Sequence, residues 1–365
     1  MKRRALAGGC VALFSTILLA RPALADVADM ASGCHPDATR PLASATGAVL
    51  VPFRTSPFPY DGEVPTDGRL FFDYEKDGRR GHTSSRGDLH FEQEAYNDRR
   101  SLLYLPKGFD LSRPEQALIV VFFHGNSARL HRDVEIRQRI PLQLAQSGLN
   151  AALVVPQFAV DIPDSSAGRF WQPSGFKEYL AEAAQHLAAL RGDPCTKPIF
   201  DRLSVVLVAY SGGYNPAAYA LAVGDADSRI RGVILLDALY GETDKFDKWI
   251  GTSVGKGGTG FFFSAYSDSS RPGNLALRQS LAGQGIAIDT CPHRLRLSSG
   301  SVTFLFAGAG IDHNDFVTSA WVPDPLKAVL STIEGFRITP QPTTTWRTDI
   351  PRAPGAPKKR HGDQP

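Results

Sequence analysis

The feature that most constrains the fold is a series of short apolar runs that starts near residue 101. The runs are nearly continuous rather than alternating, which is typical of strands covered by helices on both faces. Between them lie segments of helical period, the clearest at residues 176–190. This alternation predicts a mostly parallel sheet with right-handed crossovers, whose ligands bind beyond the carboxyl ends of the strands. The apolar runs are residues 101–105, 117–123, 151–155, 204–210, 232–236, 260–263 and 301–306.

The first residues have the pattern of a secretory signal peptide. Lys2-Arg3-Arg4 precede an uncharged, mostly apolar run over residues 5–20, and the small triplet Ala23-Leu24-Ala25 follows. The apolar run is short for a helix that spans a bilayer. We therefore expect a mature chain that begins near Asp26, is exported to the periplasm or the exterior, and has no integral membrane span.

Composition divides the chain into four segments. Residues 26–100 are interrupted by Pro and Gly and carry short alternating runs, which indicates an N-terminal arm with small antiparallel strands. The last segment is rich in Pro and basic residues without apolar period, which predicts a flexible tail. The expected organisation is a signal peptide at 1–25, the arm at 26–100, the α/β domain at 101–338 and the tail at 339–365.

The charge balance gives no reason to expect nucleic-acid binding. The formal net charge is +3, from 40 basic and 37 acidic residues, but four of the basic residues lie within the expected signal peptide. The remaining balance lacks the concentrated excess of Lys and Arg that binding to a phosphate backbone requires.

Three cysteines remain after removal of the signal peptide: Cys34, Cys195 and Cys291. In an oxidising compartment, three cysteines predict one disulfide bond and one free thiol. Sequence leaves open which two residues pair. None of the three has the spacing of a metal site, so no metal is expected.

One strand–helix junction carries a candidate nucleophile. The apolar run 204–210 leads directly into Ser211, Gly212 and Gly213, and a helical segment follows. This is the layout of a nucleophile elbow, a tight turn that exposes a serine hydroxyl above the sheet edge. Ala209 replaces the glycine that usually stands two residues before the serine, and it is small enough for the turn. A serine at this position can instead cap the following helix.

The run 117–123 ends in His124-Gly125-Asn126, a second candidate segment. A His-Gly pair at a strand end can turn the backbone so that the next amide points into a site. The predicted oxyanion hole consists of the backbone N–H groups of Asn126 and Gly212. We place His124 at the substrate site and expect it to shape this loop rather than act as a base.

A serine nucleophile requires an imidazole that accepts its proton and a carboxylate that orients the imidazole. Among the nine histidines, His313 alone lies in the loop directly after the last apolar run, 301–306. Two acids stand near strand ends between the serine and this histidine. We prefer Asp268, after the run at 260–263, and retain Asp237, after the run at 232–236, as the alternative. Either aspartate can instead cap a helix.

Over roughly residues 101–330 these motifs resemble the α/β-hydrolase superfamily. The resemblance rests on the His124-Gly125-Asn126 loop, the elbow from Ala209 to Gly213, and His313. The segment 102–110 is similar to secreted bacterial esterases of the feruloyl-esterase and polyhydroxybutyrate-depolymerase type. The resemblance implies a sheet of about eight strands with helices on both faces, and an acyl-enzyme mechanism that needs no metal or organic cofactor.

The expected activity is hydrolysis of a carboxylic ester, either a small molecule or one derived from a polymer. Candidates for the substrate wall are Arg169, Trp171, Tyr214 and Tyr240, for which loop packing is the alternative role. An amidase or peptidase acting on envelope material would use the same residues. A catalytically silent binding protein on the same fold is a third interpretation, because fold alone does not determine function.

Overall fold

The structure is a computed structural model that describes residues 34–39, 42, 44–255, 257–290 and 295–338. The expected signal peptide at 1–25 and the tail at 339–365 lie outside these residues, as does Cys291. Cys34 and Cys195 are each disulfide-bonded. Within the described ranges, no helix combines the length and apolarity needed to cross a membrane. The elements described below all lie in the unit that begins at Pro36.

The described strands form two sheets. An eight-stranded sheet has the order β1-β5-β7-β6-β8-β9-β10-β11, and a three-stranded sheet has the order β2-β3-β4. The strands are β1 (Val49–Pro52), β2 (Tyr74–Lys76), β3 (Arg79–Thr83), β4 (Leu89–Phe91), β5 (Arg100–Tyr104), β6 (Leu118–Phe123), β7 (Ala151–Pro156), β8 (Ser204–Tyr210), β9 (Ile230–Leu236), β10 (Phe261–Tyr266) and β11 (Val302–Phe306).

In the larger sheet, β5 is antiparallel to β1 and β7, whereas every pair from β7 to β11 is parallel. The α-helices of the described ranges are α1 (Glu92–Ala95), α2 (Ile140–Gln146), α3 (Gly175–Leu190), α4 (Lys197–Phe200), α5 (Tyr214–Ala222), α6 (Thr243–Trp249), α7 (Arg271–Gly283) and α8 (Pro325–Leu330).

Both faces of the larger sheet are buried, which explains its continuous apolar runs. Every residue of β6, β7 and β10 is buried. Alternate residues of β6 point into two different apolar clusters. Helices α3, α5, α6 and α7 contribute to one cluster, and α2 and α8 contribute to the other. The predicted mostly parallel, eight-stranded sheet with helices on both faces is therefore confirmed.

The segment before residue 101 contributes more to the main sheet than its composition indicated. The small antiparallel strands expected there are β2, β3 and β4. However, β1 pairs with β5, with Val49 opposite Leu103, so the larger sheet begins before the boundary at residue 101. This short run stands alone in a segment interrupted by Pro and Gly, away from the series of runs after residue 101, which is why the sequence analysis assigned it to the arm.

Candidate active site

Ser211 lies at a tight turn directly after β8. The chain passes from Tyr210 at the end of the strand into a short 3₁₀ turn, Ser211–Gly213, and then into α5. Ser211 has φ +54°, in the left-handed region that residues other than glycine rarely adopt. Such strain persists where the surrounding structure holds it, and it concentrates at functional sites. The local geometry matches the predicted nucleophile elbow.

The elbow is packed too closely to accept larger side chains. A Cβ atom on Gly213 would lie 2.3 Å from the carbonyl oxygen of Phe123. A Cβ atom on Gly212 would lie 2.0 Å from Oδ1 of Asn126, and one on Gly125 would lie 2.8 Å from Cβ of Ser211. These glycines allow the loop after β6 to lie directly against the serine.

Ser211 and His313 are hydrogen-bonded although they stand far apart in the sequence. The Ser211 Oγ is 2.7 Å from the His313 Nε2, and the His313 Nδ1 is 2.6 Å from Oδ2 of Asp237. His313 begins a short 3₁₀ helix beyond β11, and Asp237 directly follows β9. All three side chains therefore meet at the carboxyl edge of the parallel strands, where sites form in this architecture.

The structure corrects the preference for Asp268 as the acid. The Asp268 side chain is 60% exposed and pairs with the Arg271 guanidinium at 3.1 Å. Asp237 is fully buried and holds the hydrogen bond to His313. Both aspartates follow strands of the sheet, so sequence order alone could not separate them.

The Asp237 carboxylate is surrounded by hydroxyl groups. Ser267 donates from its backbone N–H at 2.9 Å, and its Oγ lies 2.9 Å from both carboxylate oxygens. The Ser269 Oγ lies 3.1 Å from Oδ2, and the Ser270 hydroxyl donates to Oδ1. Burial alone would raise the pKa of Asp237, but hydrogen bonds from His313, Ser270 and Ser267 outweigh it and hold the pKa below its ordinary value. The carboxylate is therefore ionised at neutral pH.

This serine cluster leads to a pH-dependent stability prediction. A carboxylate with a depressed pKa in the folded state contributes stability above its unfolded pKa of about 3.9, and that contribution is lost as the pH falls further. Ser267→Ala removes one donor to the charged group. We expect it to lower the free energy of unfolding at pH 7 by about 1.5–3 kcal/mol. The deficit should shrink at the acid end of the pH range, as the pH falls toward the folded-state pKa of Asp237 in the variant, which lies above that of the wild type because one donor to the charged form is missing.

The matched control is Ser264→Ala. The Ser264 Oγ is also buried, but it donates to the neutral Oδ1 of Asn274 at 2.6 Å. The destabilisation caused by this variant should be independent of pH between 7 and 3, as measured by urea unfolding. An equal pH dependence for the two variants would show that the Ser267 hydroxyl does not stabilise the ionised carboxylate.

Two tyrosines fix the imidazole of His313. The Tyr210 ring stacks on it at 5.0 Å with an interplanar angle of 23°. The Tyr240 hydroxyl lies 3.2 Å from Oδ2 of Asp237 and 3.3 Å from the His313 Nδ1. Burial raises the pKa of Tyr240 to about 12, so its hydroxyl remains a neutral donor. Tyr240, expected at the substrate wall, thus also contacts the His313–Asp237 pair.

His124 has the loop-shaping position that the sequence predicted. It is buried, and its Nδ1 donates to the carbonyl oxygen of Gly125 at 2.7 Å. Its Nε2 accepts from the backbone N–H of Phe158 at 2.9 Å and lies 3.1 Å from Nε2 of Gln157. Burial lowers the pKa of His124 to about 4. The neutral ring therefore ties the loop after β6 to the loop after β7.

The two predicted oxyanion donors lie beside Ser211. Asn126 and Gly212 both line the same cleft as the serine. The backbone N–H of Asn126 donates to no backbone carbonyl in the described part of the chain, so it remains available to a ligand. The Asn126 side chain accepts a hydrogen bond from the Ser165 hydroxyl at 3.0 Å, which orients it within the loop.

Ser211 and His313 open into a cleft of about 740 Å³. Trp171, Tyr214 and Tyr240 line it as predicted, whereas Arg169 and His124 do not. Arg169 instead donates from Nε to the carbonyl oxygen of Ser56 at 3.3 Å, a contact that its loop sequence could not reveal. His124 lies behind the wall. Sequence reasoning missed further lining residues, including Val64, Thr66, Arg69, His82, Arg86, Arg137, Asp164, Asn215, Tyr219 and Asn314.

No single sequence pattern marks the residues that were missed, because they come from loops, from the small sheet, from α5 and from the helical turn Leu130–Arg137. Within the ranges that the structure covers, no group of three or more His, Cys, Asp or Glu residues could hold a metal ion.

The sheet order, the strained serine at the β8–α5 turn and the linked serine, histidine and aspartate define the α/β-hydrolase architecture. The architecture agrees with the resemblance that the sequence motifs carry. The architecture defines a class of fold, but the same fold supports many reactions, so the reaction must be inferred from the residues of the site.

Comparisons with known proteins give only distant similarities. An uncharacterized protein from Bacillus cereus ATCC 10987 is 15% identical, with 55% of this chain and 57% of that chain covered and a TM-score of 0.34. An S-formylglutathione hydrolase from Agrobacterium tumefaciens is 11% identical, with 71% and 97% covered and a TM-score of 0.39. Esterase 2 from Thermogutta terrifontis, phosphoramylated by tabun, is 14% identical, with 72% and 93% covered and a TM-score of 0.36.

The chain thus spans little more than half the length of the Bacillus cereus protein. Neither a family model nor a curated protein matches the sequence. Because all these TM-scores are below 0.5, the fold assignment does not rest on the similarities. It rests on the sheet order and on the elbow at Ser211.

Proposed function

We propose that this chain is an exported serine hydrolase that cleaves a carboxylic ester through an acyl-enzyme intermediate. The observation that carries the proposal is the hydrogen-bonded series of Ser211, His313 and Asp237 at the mouth of a cleft. A serine becomes an effective nucleophile when an oriented imidazole accepts its proton. Export rests on the sequence pattern of residues 1–25 and stays a prediction.

The first half-reaction follows from these positions. As the Ser211 Oγ attacks the ester carbonyl carbon, the His313 Nε2 accepts its proton, and the buried Asp237 carboxylate stabilises the resulting imidazolium. Negative charge develops on the carbonyl oxygen, where the backbone N–H groups of Asn126 and Gly212 stabilise it. When the tetrahedral intermediate collapses, the C–O bond to the alcohol breaks and His313 protonates the leaving oxygen.

The second half-reaction releases the acid. His313 accepts a proton from a water molecule as that water attacks the acyl carbon of the ester on Ser211. The same N–H donors stabilise the second oxyanion, and His313 returns the proton to the Ser211 Oγ. The chain is then restored to its starting state.

Pre-steady-state hydrolysis of 4-nitrophenyl acetate tests this function. Activated esters acylate serine hydrolases rapidly, so we expect a burst of about one equivalent of 4-nitrophenol per chain before slower turnover. Acetanilide assayed in parallel compares an amide with an ester of the same acyl group. Protein that unfolds cooperatively yet releases 4-nitrophenol no faster than buffer would contradict the proposal.

A further inference from the structure

The three-stranded sheet contributes a part of the cleft wall that the proposed reaction does not use. His82 lies on β3, and Arg86 lies in the turn between β3 and β4. Both line the same cleft as Ser211, together with Thr66 and Arg69 from the segment before β2. An accessory sheet outside the main fold thus supplies polar groups to the wall.

His82 is held rigidly in this wall. It is 3% exposed, and its Nδ1 lies 2.6 Å from the carbonyl oxygen of Phe71. Because a carbonyl oxygen only accepts, Nδ1 must carry the hydrogen. The ring stacks on Phe71 at 3.9 Å with an interplanar angle of 18°, and its edge meets Tyr96 at 5.8 Å. These contacts fix both the tautomer and the orientation of the imidazole.

The neutral form of His82 leaves one acceptor unused. Burial lowers the pKa of His82, and the Arg69 guanidinium adds to this effect, whereas Asp164, the Phe71 carbonyl and Asp73 oppose it. With the hydrogen on Nδ1, the Nε2 lone pair is a hydrogen-bond acceptor. No described residue donates a hydrogen bond to Nε2. Because His82 lines the cleft, this acceptor is open to water or to a ligand group that donates a hydrogen bond.

Both carboxylate oxygens of the neighbouring Asp164, by contrast, already accept hydrogen bonds from the protein. Oδ2 of Asp164 accepts from the Tyr96 hydroxyl at 2.9 Å, and Oδ1 accepts from the backbone N–H and the hydroxyl of Ser166 at 3.1 and 2.8 Å. A ligand group that pairs with Nε2 must donate a hydrogen bond, which excludes a carboxylate. The carboxylates nearest to His82 are already engaged, since Asp73 pairs with Arg69 and Asp164 accepts hydrogen bonds from Tyr96 and Ser166. A cationic donor would therefore lack a counter-charge, and a neutral hydroxyl is the better match.

We propose that the Nε2 atom of His82 accepts a hydrogen bond from a hydroxyl group of the ester substrate. This part of the cleft wall then selects esters that carry a hydroxyl away from the bond that is cleaved. The inference rests on the proposed function, because it assigns the substrate class of that same site. Loss of a partner for one buried polar group can separate two otherwise identical substrates by about tenfold or more.

Two series of esters test the proposal on either side of the scissile bond. One series contains 4-nitrophenyl esters of straight-chain acids, with or without a terminal hydroxyl. The other contains monoacetates of straight-chain terminal diols and the acetates of the matching alcohols. Chains of four, six and eight carbons vary the distance between the hydroxyl and the bond that is cleaved. In at least one series we expect the hydroxyl to raise kcat/KM about tenfold at one chain length.

The variant is His82→Phe, which keeps a ring to stack on Phe71 and removes the acceptor. It should reduce the ratio of kcat/KM between hydroxylated and plain esters to about one. The control is His90→Phe, because His90 stands opposite His82 in the β3–β4 pairing and does not line the cleft. This control should retain the wild-type ratio.

The outcomes separate the two proposals. A wild-type protein that hydrolyses the plain esters without preferring hydroxylated ones would overturn the His82 site alone, as would a preference that survives in His82→Phe. If His82→Phe does not fold by circular dichroism, His82→Leu, which also lacks an acceptor, replaces it, and an undiminished ratio there would also overturn the site. Failure of the wild-type protein to hydrolyse any of these esters would overturn the proposed function itself.

Discussion

Replacement of Ser211 by alanine is expected to lower kcat for 4-nitrophenyl acetate by about 10⁴–10⁶-fold. The variant lacks the oxygen that attacks the carbonyl carbon, while the oxyanion donors and the cleft remain. Alanine meets the same backbone strain as serine, because Ser211 already has φ +54°. The fold should therefore persist, with an unfolding midpoint close to that of the wild type.

Steady-state kinetics and urea unfolding of the same preparation provide the measurement. Ser264→Ala is the matched control, since it removes a buried hydroxyl from β10 that does not contact Ser211, His313 or Asp237. Its kcat should stay within a few-fold of the wild-type value. Unchanged hydrolysis by Ser211→Ala would remove this serine from the reaction.

The second large effect distinguishes the two aspartates. Asp237→Asn removes the carboxylate that fixes the His313 tautomer and stabilises its cation, so kcat is expected to fall by about 10⁴-fold. Asp268→Asn loses an exposed pair with Arg271, an interaction that contributes at most about 1 kcal/mol to stability. The activity of this second variant should be unchanged within twofold.

The pair of variants is informative because both substitutions replace a carboxylate by an amide of the same size. Kinetics of the two proteins in one buffer give the comparison. A large loss in Asp268→Asn, or equally mild effects in both variants, would contradict the arrangement in which Asp237 orients His313.

The parts of the fold that sequence could predict are those with a strong local signal. Strands β6 to β11 are buried on both faces, so their apolar runs identify them without knowledge of their neighbours. Strand β1 joins the sheet by pairing with β5, and no pattern in the sequence of β1 itself indicates this contact. Local patterns thus identified the central strands and missed this edge strand.

The candidate site was also predictable only in those parts that have a local sequence signal. Ser211 and His313 follow from their places after strands and from chain order. The choice between Asp237 and Asp268 depends on which side chain turns inward after its strand, and this is a property of tertiary packing. The same limit explains Arg169, which contacts Ser56 rather than the cleft, and His82, which reaches the cleft only because the small sheet packs there.

If His313 activates Ser211 as a nucleophile, a fluorophosphonate should label this serine. Such reagents form a covalent adduct with an activated serine, and mass spectrometry of the digested protein identifies the modified residue. We expect one adduct, on Ser211, in the wild-type protein, and a strongly reduced labelling rate in His313→Ala. A folded wild-type protein that takes up no label, or takes it up on another residue, would show that Ser211 is not the activated nucleophile.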